Sequence, residues 1–438
     1  MTDLTKEVNT LVDLLDDPYW VNRLHDKWQR EYIYYEGGKE LYGAVQMFRT
    51  PPELCREMID KLREFVNLKG KIVLTLNVEF IPFLRGAKEI WFFSDNKEKA
   101  IFVEQFYPRV KTVQGNFLEW ENNMKFDVVC MNPPYQQEDG GHSRSAKPIY
   151  HKFIEKAIDD LQPDFLVSIN PSRWMVGGKG LDKFRQRMII DRRVKTITDD
   201  MTPSGIFKIV DIAGGVNYFI WDRNYNGKCC FNGVDRFLDE EDIVLRENES
   251  RFILRKVKNI AADWVATGAS PRRPYGLEGD APVATKGVTC WFKQSIGLAK
   301  VDPKVVKNPR NDIHLWRVLV PRAPIAGQTD FSKPISFFND RNVIIAKPGE
   351  YCTETYIVLK ALKTEKEANN FVSYIKTRFF RFMLRMRVIS QDITREKYAW
   401  VPDLKDYSKP WTDEELYEMF HLTRHERAYI ESKIKELK

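Results

Sequence analysis

A chain of 438 residues, 43% of them hydrophobic, carries enough apolar material for two or three packed domains, and it shows neither repeats of solenoid period nor a low-complexity tract. Its 69 Lys and Arg against 62 Asp and Glu leave a formal charge of +7, an excess compatible with a nucleic-acid partner and with many proteins that have none. Six cysteines without paired metal-ligand spacing, the absence of a leading apolar segment and the lack of any bilayer-length apolar run exclude a disulfide framework, a zinc site and a membrane protein, and point to a reducing cytoplasm.

In chain order, residues 1–47 read as a helical cover, with Val8, Leu11, Leu14 and Leu15 at helical spacing and Trp28, Tyr32, Tyr34 and Tyr35 after them. Phe48-Arg49-Thr50-Pro51-Pro52-Glu53 marks a helix start, with Thr50 as N-cap, Pro51 at the first position and Glu53 completing a capping box. Strand-like runs at 71–76, 89–94 and 110–113 alternate with helical patterns, which implies a parallel sheet with right-handed crossovers. Asp95 ends the second run, where Rossmann-like folds place an acid that accepts ribose hydroxyls; its other reading is the cap of a helix opening at Asp95-Asn96.

The run Phe126-Asp127-Val128-Val129-Cys130-Met131 is then halted by Asn132-Pro133-Pro134-Tyr135. Proline cannot donate to a ladder and holds the residue before it extended, so the strand ends in a rigid rim at the carboxyl edge of the sheet. An amide oxygen, carbonyls without competing local N–H groups and one aromatic face suit the gripping of a planar ring that bears an exocyclic amine. The segment resembles the amino-methyltransferases, and the order of motifs resembles the gamma-arrangement N6-adenine DNA methyltransferases of restriction-modification systems.

That resemblance implies an α/β, Rossmann-like methyltransferase domain with a largely parallel sheet over residues 48–224, and S-adenosyl-L-methionine as cofactor. Phe48 and Thr50 then match the Phe-x-Thr-Pro that closes over the methionine end of the cofactor, a role a helix N-terminus can share with capping. Asn116 and Phe117 match the positions that meet the adenine amine and ring of the cofactor, with Asn116 standing where the family has an acid. The family's glycine loop after the first strand is missing, since Asn77-Val78-Glu79-Phe80 runs on without glycine until Gly86. Either the loop takes another path, with Asn77 or Glu79 meeting the cofactor's amino group, as a similar Asn-x-Glu-Phe in some restriction-modification methylases implies, or the site has decayed.

Past the rim, residues 136–150 form a polar, Gly-rich loop that reads as a lid with Arg144 and Lys147 near phosphates, or as a solvated loop. Trp174 follows the next strand and matches a family position that shapes the target-base pocket; it reads equally as a core Trp. Beyond residue 225 the α/β alternation fades into short runs broken by Gly and Pro. The resemblance assigns 225–352 to a mixed α+β target-recognition domain and 353–438 to a C-terminal segment completing it. Arg272, Arg273, Lys286, Arg310, Arg317, Arg322 and Arg341 form the pool for phosphate and guanine contacts, Arg272 and Arg273 foremost. Thr412/Glu415 and Thr423/Glu426 are two capping boxes.

The expected activity is site-specific, adenine-specific DNA methylation: a flipped adenine in double-stranded DNA stacks on Tyr135 while Asn132 and the Pro133 carbonyl accept its N6 hydrogens and Pro134 stiffens the rim. No metal is expected, and a restriction endonuclease would be a separate protein. Two other readings stand: a non-catalytic DNA-binding homologue with a decayed cofactor site, and an amino-methyltransferase acting on RNA or a protein glutamine.

Overall fold

The computed structural model describes residues 44–46, 50–137, 147–202, 212, 214–325, 330–338, 342–389 and 391–437. The expected N-terminal cover apart from Ala44–Gln46, together with Phe48, Arg144 and Arg341, lies outside the described residues. The chain divides into two compact units, Met1–Val244 and Leu245–Lys438.

The first unit is built on a nine-stranded sheet. Its strands are β1 (Ile72–Thr75), β2 (Glu89–Ser94), β3 (Val110–Gln114), β4 (Val128–Met131), β5 (Phe165–Pro171), β6 (Val194–Asp200), β7 (Val216–Asp222), β8 (Cys229–Phe231) and β9 (Val234–Arg236). They lie in the order β9-β8-β6-β7-β5-β4-β1-β2-β3. β3, β2, β1, β4 and β5 are mutually parallel, whereas β7 runs antiparallel between β5 and β6. The chain moves outward from β1 to β3 and returns on the other side of β1 as β4. A crevice therefore opens at the carboxyl ends of β1 and β4, the topological switch point where open α/β sheets place ligands.

The apolar runs become central strands because both faces are covered. In β4, Val129 and Met131 enter one core layer with Phe117, Phe153 and Trp174, while Val128 and Cys130 enter the opposite one. Helix α1 (Pro52–Arg63) covers that second face with the stripe Leu54, Cys55, Met58, Ile59 and Leu62, each such side chain contributing roughly 1.5–3 kcal/mol on full burial. Helix α2 (Lys97–Phe106) buries Phe102 and Val103 against Phe92 of β2. Helices α3 (Tyr150–Lys156) and α4 (Asp182–Ile190) pack on the first layer through Tyr150, Phe153, Phe184 and Met188.

This unit continues to Val244, past the boundary expected at residue 225. Cys230 and Phe231 pair in parallel with Thr196 and Ile197, so two short strands prolong the sheet where the sequence has already lost its α/β alternation.

The second unit mixes helices with two small sheets. Strands β10 (Val288–Trp291), β11 (Leu298–Val301) and β14 (Tyr351–Cys352) form one sheet, and β12 (Trp316–Pro321), β13 (Ile344–Ala346) and β15 (Tyr356–Leu362) the other. Because β12 pairs with β15, sheet pairing crosses the division expected between residues 352 and 353. Around them lie α5 (Asn248–Ile260), α6 (Glu365–Lys376), α7 (Arg378–Arg385), α8 (Asp413–Met419) and α9 (Arg424–Lys433). The capping boxes Thr412/Glu415 and Thr423/Glu426 both close, starting α8 and α9. Glu247, at the head of α5, is paired with Arg385 of α7 and, at 2.7 Å, with Lys433 of α9, so one partly buried carboxylate ties three helices. Among the described residues no helix is long and apolar enough to cross a membrane.

Candidate active site

β1 ends in Thr75, whose buried hydroxyl accepts from Asn77 N at 3.2 Å and donates to Asn77 O at 3.0 Å. That local bond turns the chain, and Val78–Phe83 then forms a fully buried 3-10 turn in place of a glycine loop. Glu79 lies in this turn and is buried. Asn77 spends its side chain on the neighbouring strand end: its Oδ1 accepts from Asn132 N at 2.6 Å and its Nδ2 donates to Asn132 O at 3.0 Å. Of the two residues expected at the cofactor's amino group, Asn77 has one bond at each end of its amide engaged by the Asn132 backbone.

Asn132, Pro133, Pro134 and Tyr135 follow β4 and are all buried, Asn132 at 4% and Tyr135 at 0% exposure. Asn132 Nδ2 donates to Thr50 Oγ1 at 3.0 Å. In this arrangement the amide nitrogen is spent on the hydroxyl and Oδ1 is the amide's acceptor. Thr50 is therefore not the N-cap expected of it. Pro51 occupies that position, no side chain caps α1, and the fully buried Thr50 hydroxyl serves Asn132 instead. Tyr135 meets Tyr150 edge-on, with ring centroids 6.4 Å apart, and its ring is covered, so stacking on a base requires displacement of what covers it.

Asp95 follows β2. Helix α2 is capped by Asn96, whose Oδ1 accepts from Lys99 N at 2.8 Å, so the capping reading of Asp95 does not hold. Its Oδ2 is buried with no hydrogen-bond partner, and burial pushes the carboxyl up to about 6 against the pull of Lys99. A desolvated carboxylate of this kind gains from incoming hydroxyl donors. Asn116 accepts from Leu118 N through Oδ1 at 3.0 Å, which engages the atom expected to face an amine. Phe117 is fully buried, stacked on Phe153 at 5.5 Å and edge-on to Phe93 at 5.4 Å. It serves the core, and the open stacking face expected of it is absent.

Trp174 is likewise fully buried, edge-on to Phe184 at 5.8 Å, with Nε1 lacking a partner. Arg272 and Arg273 lie in the second unit at 54% and 46% side-chain exposure, and both are paired with Glu354 at 2.8 and 3.0 Å. Arg317, from the same pool, is fully buried and donates to Tyr275 Oη at 3.0 Å, which removes it from any surface role.

Sequence reasoning missed a buried polar row at the carboxyl end of β5. Asn170, Asn217 and Asp199 are aligned across β5, β7 and β6, and Ser172 donates to Asp199 at 2.6 Å while accepting from Asn217 at 3.2 Å. Asn170 and Asn217 are 0% exposed, and their Oδ1 atoms have no partner. The available signal was the period-2 recurrence of Ser168, Asn170 and Ser172 in an otherwise apolar strand. Among the described residues no three His, Cys, Asp or Glu side chains converge as a metal site requires.

Residues 71–207 match the Eco57I restriction-modification methylase family. An uncharacterized adenine-specific methylase of Mycoplasma pneumoniae is 38% identical over 112 residues, a stretch that spans about a quarter of each protein, 25% of this chain and 26% of the relative. The type IIG restriction endonuclease BpuSI aligns over 86% of this chain and 61% of its own at 11% identity and a TM-score of 0.40. The methyltransferase subunit of a type I restriction-modification system from Streptococcus thermophilus aligns over 49% of this chain and 54% of its own at 14% identity and a TM-score of 0.35. In its sheet-bearing half the chain resembles the adenine-specific methyltransferases of restriction-modification systems, with a variant loop after the first strand.

Proposed function

We propose that the protein is an S-adenosylmethionine-dependent methyltransferase acting on N6 of adenine in duplex DNA. The observation that carries this reading is the Asn132-Pro133-Pro134-Tyr135 rim at the carboxyl end of β4, held at the sheet's switch point by Thr50 and Asn77. Asn132 Oδ1 and the Pro133 carbonyl accept the two N6 hydrogens of an adenine extruded from the stack, which favours a pyramidal nitrogen with its lone pair aimed away from the clamp. Pro133 and Pro134 keep the acceptors from shifting as charge develops, so little reorganisation is left for the reaction itself. Tyr135 supplies the aromatic surface for the base once its ring is uncovered.

Asp95 fits the ribose of the cofactor, since its buried, unpartnered oxygen lacks the donors that two hydroxyls would bring. When bound, S-adenosylmethionine supplies an electrophilic methyl group, and the amine gives up one proton in exchange. A duplex-DNA substrate and a reducing cytoplasm belong to the same proposal, with an endonuclease of matching specificity as the counterpart protein.

Calorimetry with S-adenosylmethionine, with and without duplex DNA, followed by mapping of methylated adenines, tests the reading. Micromolar binding, abolished by Asp95→Ala and retained by Asn132→Ala, with N6-methyladenine formed by the native protein alone, is the expected result. Absence of cofactor binding under both conditions would leave a non-catalytic DNA-binding homologue, a reading favoured by the buried Phe117 and the engaged amide of Asn77.

A further inference from the structure

Resting on that reading, we propose that the β10–β11 ribbon of the second unit is the element that enters a groove of duplex DNA, with its lysines on phosphates and Gln294 at its tip against base edges. Between residues 281 and 310 the chain carries Lys286, Lys293, Lys300, Lys304, Lys307 and Arg310 against one acid, Asp302. That acid is committed locally, its Oδ1 accepting from Lys304 N at 2.9 Å.

The ribbon has an inner and an outer face. The pairs Val288↔Val301 and Cys290↔Ala299 turn toward a small core with Leu277 and Phe292, while Thr289↔Lys300 and Trp291↔Leu298 lie on the other face, where Trp291 packs against the core around Tyr275 and Leu319 and Lys300 and Leu298 stay exposed. β11 is an edge strand of its sheet, bridged on its outer side at Lys300, whose carbonyl accepts from Ala284 N at 2.8 Å, and the turn at Lys293-Gln294-Ser295-Ile296 is exposed throughout.

Ion pairing separates these lysines from the arginines of the same candidate pool. Arg272, Arg273, Arg310 and Arg322 each hold a carboxylate within 3.0 Å. Lys286, Lys293, Lys304 and Lys307 are exposed and form no ion pair with a described residue, and Lys300 reaches only Thr289 Oγ1 among them, at 2.9 Å. Lysines on an edge strand can also serve simply to block sheet extension. A guard of that kind does not account for the exposed aliphatic side chains between them, Val283 at 53%, Ile296 at 42%, Leu298 at 46% and Val305 at 51%.

A two-stranded ribbon fits the major groove, about 12 Å wide, where Gln and Asn can read adenine and Arg guanine. Gln294 lines a cleft of about 620 Å³ together with Asn342 and Gln391, amides of that kind; Glu354 and Asp392 line it too, and Arg322 within it is spent on Asp392 at 2.8 Å.

The test uses the full-length protein. Lys286→Glu/Lys293→Glu/Lys300→Glu and the single Gln294→Ala are compared with the native protein for binding to mixed-sequence duplex by fluorescence anisotropy across a salt series. Thermal melts serve as a check that the exposed substitutions leave the fold intact, and the milder Lys→Gln triple replaces the first variant if it does not. The triple variant should bind at least tenfold more weakly and flatten the slope of log K against log salt by about 2–3, one unit for each phosphate no longer neutralised. Gln294→Ala should keep its affinity for mixed-sequence duplex yet lose roughly five- to hundredfold in preference for the methylated sequence. Native affinity and slope in the triple variant, or tighter binding of the native protein to single-stranded RNA than to duplex DNA, would overturn the proposal. If the native protein methylates no DNA while the triple variant still weakens duplex binding, the catalytic reading fails and the ribbon stands; the reverse outcome sinks the ribbon alone.

Discussion

Asn77 and Asn132 are 55 positions apart, yet two hydrogen bonds join the side chain of one to the backbone of the other. If each contributes about 0.5–1.5 kcal/mol to holding the rim, Asn77→Ala should lower kcat roughly ten- to hundredfold and leave the calorimetric affinity for S-adenosylmethionine within about threefold. A loss of affinity equal to the loss of kcat would instead make Asn77 a cofactor ligand. Asp95 carries the opposite signature. Its carboxyl, pushed by burial up to about 6, binds a proton more tightly in the folded chain than in the unfolded one, so between its ordinary value of 3.8 and 6 stability falls as pH rises. Accepting hydroxyls requires the ionised form, so cofactor affinity should rise from pH 5 to pH 7. Asp95→Asn should flatten that profile, lower affinity at pH 7 at least tenfold and raise the melting temperature there. The motif residues were legible because proline and asparagine at a strand end have few other uses. The partners of Thr50 and Asn77 were not, since a local capping pattern and a loop position say nothing of which strand end lies beside them.

Strands were read from runs of strand-forming residues, and the runs at 89–94 and 110–113 lie within β2 and β3, the latter an edge strand with Lys111 and Gln114 exposed. β8 and β9 escaped notice, being three residues each and without alternation long enough to register. Helix ends in the second unit were legible from their Thr-x-x-Glu boxes, but the tie made by Glu247 was not, for it joins residues far apart in sequence. Burial works against ionisation of Glu247, yet Arg385 and Lys433 hold its carboxyl below its ordinary value. The stability this adds is present above the unfolded carboxyl's range and fades as pH falls through the lowered folded value. Glu247→Ala should cost about 1.5–3 kcal/mol, because it takes the carboxylate from the buried Arg385, which keeps among the described residues only the Phe331 carbonyl at 2.9 Å, and the deficit should narrow in acid. Chemical denaturation at pH 7 and pH 4 measures both effects; an equal deficit at the two values would show that the pair is not the source.

For the whole molecule, composition bounded the answer well: an α/β sheet with a mixed second unit follows from strand and helix alternation that stops partway along. It misplaced the point of division because pairing, not periodicity, closes a unit. The cysteines are a molecule-wide test. All six are free, and only Cys230 is partly exposed. A thiol reagent should therefore modify one cysteine rapidly in the native protein and the remaining five only on unfolding. Rapid reaction of two or more would mean that a core layer opens under native conditions.

The bond between Asn77 and Asn132 has one more consequence. Its partners on Asn132 are main-chain atoms, which every amino acid except proline possesses in full. The side chain at position 132 can then change without loosening the join, and Val78–Phe83 is bulky and buried where a phosphate- or nucleoside-binding loop would be constrained to glycine. The join therefore hangs on one side chain, Asn77, and on main-chain atoms opposite it, so the turn that follows is held by packing and needs no glycine.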